Sequence, residues 1–504
     1  MKILNKINEN ALLFSMNTDR KRKKSIGQFF TPKDISEYMA SLILIERDNL
    51  KILDPGAGNG ILACSVLQKI LSYKYIKNVH VDLYENDNSI ISLLKESLDY
   101  MKDIYIQNNK KLTYNIIEEN FILYNSYKWK DEKYCGDYDI VISNPPYKKL
   151  RKDSLESKVM NDIIFGQPNI YFLFMAMSIK LLKDTGQFVF ITPRSYFSGT
   201  YFINFRKWFI SNVDIQKIVF FESRKDIFKS EKILQETTII NGVKCKKQND
   251  YIEVVSLSNI KEHEINESIS LDKNIVFERK NNYNIKIPIT KEQYEALKFV
   301  DMWEEDLNSA GFKVSTGKVV DYRNRELFID NINIRNNEVP LIWNINLKDG
   351  KFIWPLRYKN KYQLIINDNK KNLIENKNYI LIRRTTSKES KKILQAVQYK
   401  KEMLKSEYIG IENHVNYLYK IDGEISETEL IGLYIIFNSN IVDKYFRILC
   451  GSTQINATEI NNMKFPSKFD ILEIGKISYN IVDLNSEVCD KILIEYFNKY
   501  TGGD

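Results

Sequence analysis

From about Pro32 to Ile240 the chain alternates short β-branched runs with helical patterns, and this rhythm excludes most architectures. Candidate strands are Lys51–Asp54, His80–Tyr84, Tyr114–Ile117, Asp139–Ser143, Gln187–Thr192, Lys217–Phe221 and Thr237–Ile240. Helical stretches separate them: Pro32–Glu46, Gly60–Ser72, Asn86–Tyr100, Asn169–Lys183 and Thr200–Ser211. Two strands, at Ile140-Val141-Ile142 and Phe188-Val189-Phe190-Ile191, are apolar without interruption. Successive strand residues point to opposite faces, so such runs must be covered on both sides. Together these features predict an α/β, doubly wound Rossmann-like sheet. Ligands of such sheets bind at the carboxyl ends of the strands, so residues that follow strands are the first candidates for chemistry.

At 504 residues the chain exceeds one ordinary core, and at least two domains are expected. The rhythm breaks at Asn241–Asn284, a Lys/Asn/Glu-rich stretch of weak periodicity that reads as the junction. The expected division is a catalytic α/β domain over 1–265 and a mixed α/β domain over 285–504. Beyond Lys291 the pattern turns to short alternating runs with Trp303, Trp343 and Trp354. One helix is predicted near Thr386–Lys405, with Thr386-x-x-Glu389 as its capping box.

Composition narrows the partners. The chain has 74 Lys+Arg against 65 Asp+Glu, a formal +9, which suits nucleic acid but equally a solvated surface of mixed charge. Cys64, Cys135, Cys245, Cys450 and Cys489 are scattered without a CxxC pair. With only His80, His263 and His414 beside them, no metal site is read from spacing. Reduced thiols point to the cytoplasm. Neither a secretory signal nor the ~20 apolar residues of a membrane helix is recognised, so no membrane partner is expected.

The chemistry-bearing motifs follow strands. Ile52-Leu53-Asp54-Pro55-Gly56-Ala57-Gly58-Asn59-Gly60 runs from a strand into a helix, with glycines that let the backbone turn tightly and approach a ligand. Val81-Asp82-Leu83-Tyr84-Glu85 ends the next strand with an acid suited to a ribose diol. Upstream, Gly27-Gln28-Phe29-Phe30-Thr31-Pro32 opens a helix, with Thr31 as the expected N-cap and Pro32 at N1. Asn144-Pro145-Pro146-Tyr147 follows the strand Asp139–Ser143. Its two prolines fix φ and remove two N–H donors, giving a stiff loop whose carbonyls can face a ligand.

These motifs, in this order, resemble those of the γ-class (Taq-type) DNA adenine-N6 methyltransferases of restriction–modification systems. The resemblance implies S-adenosyl-L-methionine as cofactor, with Thr31 at its methionine moiety, Asp54, Gly56 and Gly58 lining it and Glu85 on the ribose. Where the family presents an Asp-Phe pair to the adenine ring, this chain has Asn120-Phe121. The Asn side-chain oxygen can still accept from the adenine amino group, and its NH2 can donate. In the loop, the Asn144 side-chain oxygen and the Pro145 carbonyl would accept the two hydrogens of the target amine. That favours a pyramidal nitrogen able to attack a sulfonium methyl. Tyr147 would stack on an adenine flipped from the duplex. No metal or covalent nucleophile is required, and no cysteine follows a proline as cytosine-C5 chemistry would demand.

Pro168-Asn169-Ile170-Tyr171, Ile191-Thr192-Pro193-Arg194-Ser195 and Asp226-Ile227-Phe228-Lys229 also resemble family segments. Phe228 reads either as a wall of the target-base pocket or as a core aromatic. In the second half, Ile411–Tyr417, Tyr445-Phe446-Arg447, Gly451–Glu459 and Phe465-Pro466 resemble a target-recognition domain, which implies double-stranded DNA as partner. Arg20-Lys21-Arg22-Lys23-Lys24, Arg383-Arg384, Lys388, Lys391 and Lys392 are candidate phosphate contacts or simply solvated surface. Similar Asn-Pro-Pro-Tyr loops serve RNA and protein amino-methyltransferases, and that alternative stays open. A monomer is expected, with a restriction endonuclease of the same site as a companion and no fused nuclease.

Overall fold

The computed structural model describes residues 4–10, 30–221, 237–245, 249–260, 262–279, 282–330, 333–335, 337–356, 362–367, 370–386, 391–449 and 454–501. Arg20–Lys24, Gly27–Phe29, Asp226–Lys229 with Phe228, Lys388, Glu389 and 451–453 lie outside the described residues. The chain divides into two units, Met1–Thr290 and Lys291–Asp504.

The first unit is built on nine strands: β1 (Asn49–Asp54), β2 (Asn78–Tyr84), β3 (Lys111–Ile117), β4 (Tyr138–Ser143), β5 (Leu182–Pro193), β6 (Val213–Phe221), β7 (Thr237–Lys244), β8 (Tyr251–Asn259) and β9 (Glu264–Asp272). They form one sheet in the order β3-β2-β1-β4-β5-β7-β6-β8-β9. From β3 to β5 all neighbours run parallel. β7 is antiparallel to both β5 and β6, and β8 returns parallel to β6. Seven helices matter here: α1 (Lys33–Ser41), α2 (Ile61–Leu71), α3 (Asn88–Gln107), α4 (Phe121–Tyr124), α5 (Leu155–Val159), α6 (Ile170–Leu181) and α7 (Ile203–Asn212). Burial explains the apolar runs. All of β4 is buried, as are Phe188 to Ile191 of β5, and α6 is buried almost throughout because it is apolar on every side.

Three local expectations give way. First, the stretch read as a junction carries two further strands of the sheet. β9 escaped notice because it is an edge strand, exposed at most of its polar positions, and edges carry weak alternation. The boundary between the units falls after Thr290 instead. Second, α1 ends at Ser41, and its N-cap is Pro32, with extended ψ of 150° and no side-chain cap; Thr31 stands one residue outside. Third, the described residues of the stretch 386–405 form no α-helix, against the one expected there. Ala396–Tyr399 is a strand there, pairing with Tyr379–Arg383, and Tyr399 stacks on Tyr379 with ring centroids 6.2 Å apart. Cross-strand pairing overrides the local pattern.

The second unit is mixed α/β. One sheet aligns Phe312–Thr316, Val415–Lys420, Tyr379–Arg383 and Ala396–Tyr399; a second joins five short strands around Glu338–Ile342. Helices Glu427–Asn438, Asn440–Leu449, Lys468–Ile477 and Ser486–Thr501 complete it. Two of the candidate phosphate ligands serve its backbone: Arg383 donates to the Leu347 carbonyl and Arg384 to that of Asn413 at 2.9 Å. Among the described residues, no helix is long and apolar enough to cross a membrane.

Candidate active site

β1 and β4 are neighbours, with Leu53 opposite Val141, so the glycine turn and the Asn-Pro-Pro-Tyr loop leave the same sheet edge side by side. This is where the strand order reverses, the place at which such sheets bind ligands. Backbone conformation accounts for two of the glycines. Gly58 has φ +53° and donates its N–H to Glu85 Oε2 at 2.9 Å. Gly60, with φ +80°, caps α2, and a Cβ there would come within 2.7 Å of Leu94. Gly56 has a different role. A Cβ at that position would meet Phe174, Pro146 and the Asn144 carbonyl only at 3.7–4.0 Å, so its missing side chain leaves an opening between turn and loop.

The two acids behind the turn are held in unfavourable surroundings. Asp54 is fully buried; its Oδ1 accepts from the Gly56 amide at 3.4 Å, while Oδ2 is buried with no hydrogen-bond partner. Burial pushes its carboxyl up to about 7 against the pull of the Gly56 amide, and the Glu85 carboxylate adds to the rise. Burial also raises the Glu85 carboxyl, although the amides of Asp87 and Gly58 oppose it.

The loop after β4 is braced from both sides. Asn144 Nδ2 donates to Thr31 Oγ1 at 3.1 Å, and the Tyr147 hydroxyl lies 2.8 Å from Asn144 Oδ1 and 3.1 Å from the Ile191 carbonyl oxygen. The Asn144 amide is thereby fixed in orientation, with its oxygen on the tyrosine side. Tyr147 meets Tyr171 edge to face at 6.3 Å, and burial, with Tyr171 adding, pushes its hydroxyl well above the usual phenol range. The chain beyond is stitched to the start of α6: Leu150 donates to the Pro168 carbonyl and Ile170 to that of Lys148, both at 2.9 Å.

Asn120 follows β3 as the N-cap of α4. Its Oδ1 accepts from the amides of Ile122 and Leu123, each at 3.1 Å, and its Nδ2 donates to Glu156 Oε1 at 2.9 Å. The oxygen expected to face an adenine amino group is therefore engaged with the helix end. Phe121 beside it is buried, edge to face with Tyr84 at 4.9 Å and tilted against Phe174 at 5.1 Å.

A cavity of about 500 Å³ runs along this edge. Thr31, Gly56, Gly58, Glu85, Asn120, Phe121, Asn144 and Pro146 line it; Asp54, Pro145 and Tyr147 support it without lining it. Phe228 lies outside the described residues. Phe30, Tyr84 and Ile170, which stand within the quoted motifs but were given no role, also line it, as do Lys148, Glu156 and Phe174, which escaped the sequence reading. Ile170 was legible as part of Pro168–Tyr171, but Glu156 belongs to no local pattern. The residues fit S-adenosyl-L-methionine. The volume suits a nucleoside-sized ligand. Gly56 and Gly58 bring bare backbone to its wall, Glu85 and Asp87 place carboxylates along it, and Phe121, Ile170 and Phe174 supply apolar walls.

Residues 41–228 match the Eco57I restriction-modification methylase family. The chain is 32% identical over 499 residues to the Type II methyltransferase M.BsuBI of Bacillus subtilis, spanning 94% of each. It is 32% identical over 462 residues to the Type II methyltransferase M.PstI of Providencia stuartii, covering 91% of this chain and 90% of that one. Among solved structures, the Type IIL restriction-modification enzyme MmeI in complex with DNA shares the fold with a TM-score of 0.54 at 10% identity, across 90% of this chain and 70% of the other. With near-complete coverage at this level of identity, the chain belongs to the Type II methyltransferases of restriction–modification systems.

Proposed function

We propose that the protein is a site-specific DNA methyltransferase that transfers a methyl group from S-adenosyl-L-methionine to N6 of an adenine flipped out of duplex DNA. The carrying observation is the Asn144 amide, braced by Thr31 and Tyr147 beside the opening at Gly56. When bound, the cofactor supplies an electrophilic sulfonium methyl. Asn144 Oδ1 and the Pro145 carbonyl accept the two hydrogens of the target amine. Its lone pair is drawn out of conjugation and aimed at the methyl carbon. Preorganisation is the catalytic device, since a braced amide needs no reorganisation as charge develops on nitrogen. Tyr147 stacks on the extruded base and offsets part of the lost duplex stacking. Thr31 and Glu85 position the cofactor, and the second unit selects the DNA site.

The test is incubation with labelled S-adenosyl-L-methionine and separate pools of duplex DNA, RNA and protein. Label recovered as N6-methyladenine in DNA is expected; transfer only to RNA or protein would overturn the reading. Asn144→Ala should cut single-turnover transfer by roughly 10²–10³-fold or more while cofactor binding, measured by calorimetry, stays within a few-fold. Near-normal transfer by that variant would remove Asn144 from the mechanism.

A further inference from the structure

Along the site edge the strands stand in the order β3-β2-β1-β4. A ligand with its reactive end at the β1/β4 loops and its ribose at Glu85, after β2, must carry its base onward to the loop after β3. That loop presents Asn120 and Phe121, with α5 beside them. An adenine ring there has an exocyclic amine, and burying that amine without an acceptor would cost affinity.

Asn120 is poorly placed to be that acceptor. Its oxygen has two acceptor sites, and the amides of Ile122 and Leu123 take both. Its other arm is an NH2, a donor, and it already points at Glu156 Oε1. Glu156 is a half-buried carboxylate in the cavity wall, in the first turn of α5. The Asn120 hydrogen bond engages one of its oxygens and restrains the carboxylate, leaving Oε2 as acceptor capacity.

We propose that Glu156, positioned by Asn120, accepts the N6 amine of the cofactor's adenine and determines the choice of adenine over hypoxanthine at this site. This rests on the reading of the cavity as an S-adenosyl-L-methionine site. A carboxylate only accepts hydrogen bonds, so a purine with a carbonyl at C6 would set oxygen against oxygen. Glu119 also lines the cavity, but it is exposed and stands as the rival acceptor.

The experiment is calorimetric titration of the full chain with S-adenosyl-L-homocysteine and with S-inosyl-L-homocysteine, which differ at C6. The unmodified protein should prefer the adenine compound by roughly ten- to a hundredfold, as expected for one hydrogen bond to a charged group. Glu156→Ala should lose most of that ratio, mainly through weaker binding of the adenine compound. Glu156→Gln keeps an oxygen for Asn120 and turns an NH2 toward C6, so it should shift the preference toward hypoxanthine. An unchanged ratio in both variants would overturn the proposal, as would a ratio that collapses in Glu119→Ala instead. If the unmodified protein binds neither compound, the cofactor reading falls and takes the proposal with it. Binding of the adenine compound with no discrimination overturns the proposal alone.

Discussion

Asp54 on β1 and Asp82 on β2 are buried acids one step apart in register, Leu53 facing Asp82 and Asp54 facing Leu83, yet their surroundings are opposite. Asp82 is well supplied. His80 Nε2 lies 2.9 Å from its Oδ1, Asn115 donates to Oδ1 at 2.8 Å, the Tyr138 hydroxyl donates to Oδ2 at 2.8 Å, and Lys51 stands 3.4 Å away. Burial works against its charge, but the bonds from Tyr138, Asn115 and His80 outweigh it and hold the carboxyl below the usual range. Asp54 has one long bond from the Gly56 amide, with the Ala63 amide also favouring its charge, and a second oxygen with no hydrogen-bond partner. A fold that satisfies one acid this fully does not leave its neighbour wanting without compensation. A buried polar group left unsatisfied calls for a physical reason, and service to a ligand is one. Asp54 stands behind the glycine turn, and Asp82 lies within the body of the sheet.

The sharpest way to break this contrast is Asp54→Asn in protein purified free of cofactor. An unfolded aspartate titrates near 3.9, whereas the buried Asp54 carboxyl stands at about 7. Folding therefore takes up a proton between roughly pH 4 and 7, and stability falls as pH rises through that window. The amide cannot ionise, so at pH 8 the variant should be more stable by up to a few kcal/mol. The difference should close as pH falls toward about 4. Chemical denaturation across pH decides it: a difference independent of pH, or a less stable variant at pH 8, would show that Asp54 is not strained by burial.

Asp82→Asn should do the reverse and by less. A folded-state value below the unfolded one gives stability that is present at neutral pH and lost as pH falls through the folded value. The variant should cost about 1–3 kcal/mol at pH 7, because donors arranged around a carboxylate meet a weaker acceptor. The cost should shrink under acid conditions, where the unmodified protein protonates too. A variant as stable as its parent at pH 7 would end the distinction between a structural and a site acid.

Local sequence carried the parallel half of the sheet because apolar runs, helix periods and glycine turns are properties of a few adjacent residues. The Asn-Pro-Pro-Tyr loop was legible for the same reason. What escaped depends on partners distant in the chain. The bond from Asn144 to Thr31 joins residues 113 apart, and that from Asn120 to Glu156 spans 36. Neither partner announces the other. The strand at Ala396–Tyr399 was mistaken for helix because its identity comes from pairing with Tyr379–Arg383. The weak, mostly polar pattern of β9 makes sense only once it is known to be an edge. The cavity's chemistry is half local and half assembled: the turn is written in one stretch, the acids and aromatics that complete it in several.

Tyr138→Phe is the gentlest probe of the comparison, because it removes one oxygen from the Asp82 network and leaves the ring packed. Tyr138 is buried, and its hydroxyl is pushed above the usual range by burial and by the Asp82 carboxylate it serves. Deleting the hydroxyl should cost about 1 kcal/mol, the net worth of an ordinary hydrogen bond. Lys51 sits over the Tyr138 ring at 4.7 Å as well as beside Asp82, so the ring contact should survive in the phenylalanine variant. The informative quantity is coupling. If Tyr138 acts through Asp82, the double variant Tyr138→Phe with Asp82→Asn should fall short of the sum of the two single losses by at least about 0.5 kcal/mol. Strict additivity would mean that the hydroxyl and the carboxylate contribute separately. In that case the low value of Asp82 would owe more to Asn115 and His80 than to the strand that leads into the Asn-Pro-Pro-Tyr loop.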